Sequence, residues 1–137
     1  MPSVVFLIIA IIAVGLLMLV AMMLTSRSHT FNKEEYQTRW LKVENGLERS
    51  NPKSYIVAVM DADKLLDRAL VEMGLSGKTM GERLKKVMSK LERPSAVWDA
   101  HRLRNGLAHN TDAEISYEQA KHALGAFRQA LKDLGAI

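Results

Sequence analysis

The residues best suited to chemistry are Arg104-Asn105-Gly106-Leu107-Ala108-His109, near the end of a helix predicted to open at Pro94-Ser95. Arginine keeps its charge and forks onto phosphate oxygens, whereas histidine exchanges a proton near neutral pH. An arginine, an adjacent amide and a histidine five positions on would form a compact cationic site. Such a site could hold a phosphodiester and move a proton. On a helix Asn105 and His109 are four apart and share a face, while Arg104 lies about 100° round from Asn105. Gly106 removes a side chain between them, at about 1 kcal/mol of helix stability relative to alanine. Asp63 is the supporting candidate. It falls on the stripe Ile56, Val59, Asp63, Leu66, Leu70, Met73, where the period asks for an apolar side chain. A buried carboxylate without a partner is costly. The helix around Asp63 should therefore pack beside the motif helix, with Arg104 as its cation and Arg102 or His101 as alternatives.

A purely structural use of the same residues has its own logic. His109 at a helix C-terminus interacts favourably with the helix dipole, and Asn110 suits a left-handed cap. Arg104 would then serve only to neutralise Asp63. His101 and His122 read as surface or supporting residues, Trp40 and Trp98 as core anchors, and Lys85, Lys86, Lys90 and Arg93 as a solvated face.

The elements that must position these residues are helical throughout. Asn32 is placed to cap a helix, with Glu35 closing a capping-box-like pair, and Tyr36, Trp40, Val43 and Leu47 form its inner face. Ser50-Asn51-Pro52 ends that helix and opens the next, which runs to Met73 and stops at Gly74. A third helix is expected over about 79–91, with Met80, Leu84, Val87, Met88 and Leu91 inward. The Gly74-Leu75-Ser76-Gly77 and Met80-Gly81 stretches hold too few glycines to cradle phosphates. Ser116-Tyr117-Glu118-Gln119 is a capping box for a last helix with Tyr117, Ala120, Leu124, Phe127, Leu131 and Leu134 on one face, ended by Gly135. Four or five helices with short connections predict an all-α, up-and-down bundle.

The bulk numbers limit the chemistry. The 137 residues contain no cysteine, so disulfides and thiolate metal sites are excluded. The four histidines, at 29, 101, 109 and 122, are scattered without metal-ligand spacing, so neither metal nor cofactor is expected. A net charge of +4 permits contact with RNA or anionic lipid without requiring it.

Residues 4–24 carry no charge and, as a helix, would span roughly 30 Å, the thickness of a bilayer core. No Lys or Arg precedes the run, and Ala21-Met22-Met23-Leu24-Thr25 makes a poor cleavage site. A retained transmembrane helix is therefore expected rather than a cleaved signal. Arg27, Lys33, Arg39 and Lys42 follow the span, which places the C-terminal domain in the cytoplasm of a cell carrying this protein in its inner membrane. No GxxxG pattern supports pairing of spans. The expected organisation is a span over 4–24, a linker over 25–31 and a helical domain over 32–137.

The hexapeptide resembles the R-x4–6-H motif of HEPN domains, all-α bundles that include many metal-independent endoribonucleases. Asparagine directly after the arginine, the Leu107-Ala108-His109 tail, one long helix after the motif, and the acid-bearing Ile56–Asp67 helix all share in the likeness, which covers residues 33 to 135. The resemblance implies a homodimer whose two motifs line one cleft. It also implies a catalytic set of Arg104, Asn105 and His109 with Asp63 in support, and RNA cleavage to a 2′,3′-cyclic phosphate without a cofactor. The membrane span departs from the family, most of whose ribonucleases are soluble. The alternative is a non-catalytic, membrane-tethered helical module for dimerisation or partner binding.

Overall fold

A computed structural model describes residues 2–25 and 29–137. Of the expected linker, residues 26–28 lie outside the described residues, and with them Arg27 of the basic flank. The described chain is helical and contains no strand. It comprises α1 (Pro2–Thr25), α2 (Lys33–Gly46), α3 (Pro52–Glu72), α4 (Met80–Lys85), α5 (Pro94–His109) and α6 (Tyr117–Asp133). A 3₁₀ turn, Met88–Lys90, lies between α4 and α5.

α1 is exposed from Pro2 to Leu24 and is long and apolar enough to cross a membrane. The remaining helices build one core around α3, which packs against α2, α4, α5 and α6. α3 therefore buries a wide face: Ala58, Val59, Ala62, Leu65, Leu66, Ala69 and Leu70. α6, packed against α3, is likewise rich in small residues and buries Ala120, Ala123, Ala126 and Ala130 beside Leu124, Phe127 and Leu131. Small side chains on both sides let the two axes approach closely.

The helix ends follow their local chemistry. Ser116 and Gln119 exchange both bonds of a capping box. Gly74 and Gly135 take φ of +78° and +79°. Each closes its helix with the paired bonds of a Schellman motif, Leu75 N–H to Leu70 O with Gly74 N–H to Val71 O, and Ala136 N–H to Leu131 O with Gly135 N–H to Lys132 O. At α2 only half of the expected box forms. Asn32 accepts from the Glu35 N–H, but the Glu35 carboxylate turns to Arg39 and Arg68 instead.

The continuous helix expected over 79–91 is not formed. Thr79 caps α4 by accepting from the Glu82 N–H, but the α-helix lasts only to Lys85. Val87 N–H then reaches back three residues to Leu84 O, and Lys90 N–H to Val87 O, tightening the chain into a turn. Val87 and Leu91 are buried and Met88 is left half-buried. Arg83 and Lys86 hold this segment from outside: Arg83 forks onto both Asp67 oxygens at 2.8 and 2.9 Å, and the Lys86 ammonium donates to Ser76 O and, at 2.6 Å, to its Oγ.

The candidate site: an acid–histidine–amide–arginine cluster on a cationic cleft

α5 follows directly from Pro94 at its first turn and buries Val97, Ala100, His101 and Leu107. Arg104 and Asn105 lie on the edge of that face, half-buried. α3 supplies Asp63 opposite them, 3% exposed, and α3 and α5 pack side by side as the anomalous carboxylate required.

Four side chains close into a network. Asp63 Oδ1 lies 2.8 Å from His101 Nδ1, with both side chains buried. A carboxylate only accepts, so the ring proton belongs on Nδ1 and Nε2 offers a lone pair. Asn105 Nδ2 fills it at 3.2 Å. The Asn105 oxygen then accepts from Arg104 Nη1 at 3.1 Å. Arg104 Nε returns to Asp63, 3.3 Å from Oδ2. That last contact has ion-pair distance without hydrogen-bond geometry, leaving the buried Nε–H without a hydrogen-bond partner among the described residues. It acts as charge on charge, not as a directed bond. The network also fixes the otherwise ambiguous amide of Asn105, nitrogen toward His101 and oxygen toward Arg104.

The cluster floors a cleft of about 640 Å³ between α3, α4 and α5. Lys64, Lys78, Arg83, Lys85, Arg102 and Arg104 line it against three carboxylates, Asp63, Asp67 and Glu82. Two of those are neutralised in place, Asp63 by the cluster and Asp67 by Arg83. Trp98 forms part of the wall, with the Lys85 ammonium 5.6 Å from its ring centroid. Gly81 brings the α4 backbone over the cluster, where a Cβ would stand 3.6 Å from both His101 Nε2 and Trp98 Cη2.

Arg104, Asn105 and Asp63 thus come together as expected. His109 lines the same cleft but is exposed, the final residue of α5, and its side chain makes no hydrogen bond among the described residues. It stands at the rim and outside the bonded cluster. Asn110 departs from expectation. Its φ of −128° and ψ of 106° are extended, and its side chain accepts from the Asp112 N–H instead of capping in the left-handed region. Open space surrounds the Cβ position of Gly106, so packing within the chain does not demand glycine there.

His101, expected at the surface or in support and as an alternative partner of Asp63, takes the supporting place: it is 6% exposed and central to the cluster, not at the surface. The signal was present: Val97, Ala100, His101, Arg104 and Leu107 follow the helical three–four spacing of an inward face. His122 is exposed, as expected. Trp40 is buried in the core, whereas Trp98 is only half-buried and borders the cleft. No protein-family model matches the sequence, and neither a curated protein nor a solved structure matches it.

Proposed function

We propose that this is a membrane-tethered, HEPN-like helical protein whose motif cleft binds RNA and cleaves it without a metal ion. The observation that carries the reading is the convergence of Arg104, Asn105 and His109 on one concave, cation-lined surface. The side chain of Arg104 is 35% exposed, so the guanidinium edge turned away from Asp63 and Asn105 faces the cleft. There it can stabilise charge growing on a phosphoryl group. His109, free of internal partners among the described residues, takes the proton from a ribose 2′-OH as O2′ attacks phosphorus, or delivers one to the departing O5′. The products are a 2′,3′-cyclic phosphate and a 5′-OH. A second copy of the chain, implied by the HEPN resemblance, supplies the complementary histidine.

The tether is read from α1. Its 24 residues reach about 36 Å and are exposed to the last described side chain. Lys33, Arg39 and Lys42 beyond it favour a cytoplasmic domain.

A second reading is a non-catalytic interaction module. It is favoured by the closure of the cluster on itself, in which Asp63, His101, Asn105 and Arg104 are linked to one another by three hydrogen bonds and an ion pair without a ligand. The full chain in neutral detergent, incubated with single-stranded RNA in EDTA, separates the two. The ribonuclease reading expects cyclic-phosphate ends, reduced about 100-fold or more in both Arg104→Ala and His109→Ala with helicity and melting unchanged. Cleavage that survives both substitutions, or none by the parent chain, sinks it in favour of the module.

A further inference from the structure

A second groove, of about 570 Å³, runs between α2 and α3. It shares two wall residues, Lys64 and Asp67, with the motif cleft, so the two hollows meet across α3. Together they are lined by nine cationic side chains and four carboxylates. That surplus of five exceeds the +4 of the entire chain, so the rest of the surface is close to neutral or slightly acidic. The shared wall is itself positive. Asp67 is held by the Arg83 fork, and Lys64 is exposed without an ion pair among the described residues. Lys42 on the far side of the second groove and Lys78 in the motif cleft are likewise exposed and unpaired among the described residues. The second groove is not uniformly basic: Asp61 is open on it, and Glu35 ties Arg39 and Arg68 at its edge.

From Asp61 to Val71 this groove follows α3 for about 15 Å, far more than one nucleotide requires. We propose that the joined grooves form one track for a single-stranded RNA several nucleotides long, entering the motif cleft over Lys64. The inference rests on the motif cleft being an RNA site and adds that its substrate is an extended strand, not a mononucleotide. A strand fits because both hollows are concave and share the α3 wall at Lys64 and Asp67. An anionic lipid surface would favour cations on one convex face.

The test uses the full chain in nanodiscs of neutral lipid and labelled, non-cleavable 2′-O-methyl oligouridylates of two, four and eight nucleotides. Anisotropy titrations over a range of salt concentrations should show affinity rising with length. The exposed pair Lys42→Gln and Lys64→Gln together should weaken the eight-mer about tenfold and flatten its log–log salt slope by about 1.4, or 0.7 per lost phosphate contact. Dinucleotide binding should be little changed by Lys42→Gln alone, because Lys42 lines only the second groove and Lys64 lines the motif cleft as well. Eight-mer binding no tighter than the dinucleotide, or indifferent to the double variant, overturns the track while leaving the motif cleft as an RNA site. Failure to bind RNA of any length overturns both. Lysine-dependent capture of phosphatidylglycerol vesicles in that event would mark the patch as lipid-facing.

Discussion

Asp63 shows how far one residue carries an argument. An acid in an apolar stripe demanded a cation on a neighbouring helix, and Arg104 stands 3.3 Å from it. His101, named only as an alternative partner, is closer at 2.8 Å and more deeply buried. Removing the carboxylate leaves a buried imidazole N–H without its acceptor and a half-buried guanidinium without its counter-charge. Asp63→Ala should therefore cost about 3 kcal/mol in urea titrations, at the lower end for buried pairs because water reaches Arg104. Asp63→Asn should cost less, since an amide oxygen still accepts from His101 Nδ1. Equal midpoints for the parent and Asp63→Ala would show the cluster to be energetically idle. Arg104 and Asn105 were legible as neighbours in the motif. The orientation of the Asn105 amide was not, because it depends on a ring nitrogen one turn earlier and an oxygen on another helix.

Among the elements, the junction where the linker meets the bundle has a pH response that can be worked out. His29 stacks edge-on with Phe31 and Phe31 with Tyr36, while the buried Tyr36 hydroxyl donates to Glu72 Oε2 at 2.6 Å. That bond first, and His29 second, hold the Glu72 carboxyl below its usual range. Burial first, and Glu72 second, push the Tyr36 phenol up. A depressed carboxylate stabilises the fold above its unfolded value near 4.5 and loses that contribution as pH falls through the folded one. A raised phenol contributes fully below its unfolded value near 10 and loses the contribution as pH rises through the folded one. Tyr36→Phe should thus destabilise at pH 7 by about 1 kcal/mol, the open side of Glu72 keeping the loss small. Its denaturation midpoint should also change less than the parent's between pH 5 and 3, and again above pH 10. A variant with the parent's acid slope would dissociate Glu72 from this junction. Caps and stops at these elements were readable locally, at Asn32, Ser116, Gly74 and Gly135. The break after Lys85 was not, because Arg83–Asp67 and Lys86–Ser76 are contacts between segments.

For the molecule as a whole, the proposed membrane tether raises the question of whether α1 is retained and on which side of the membrane the cleft would then lie. An exposed apolar helix followed by Lys33, Arg39 and Lys42 predicts a retained span with the bundle inside. Thr30→Cys, in a chain with no other cysteine, reports this directly. A membrane-impermeant thiol reagent should label it in broken cells and leave it untouched in intact spheroplasts. Labelling of intact spheroplasts would reverse the orientation. A shortened chain lacking residues 1–24 would instead identify α1 as a cleaved leader.

The sequence by itself determined the helical class, the ends of most helices, the apolar N-terminal segment and the motif residues. These follow from periodicity, capping chemistry and composition, which act within a few residues of chain. Only the tertiary structure decided that His101 lies between Asp63 and Asn105, that His109 stays at the rim, and that two basic grooves meet at Lys64. Each depends on how α3, α4 and α5 are rotated against one another. Many apolar contacts across the core set that rotation together, and no local stretch encodes it.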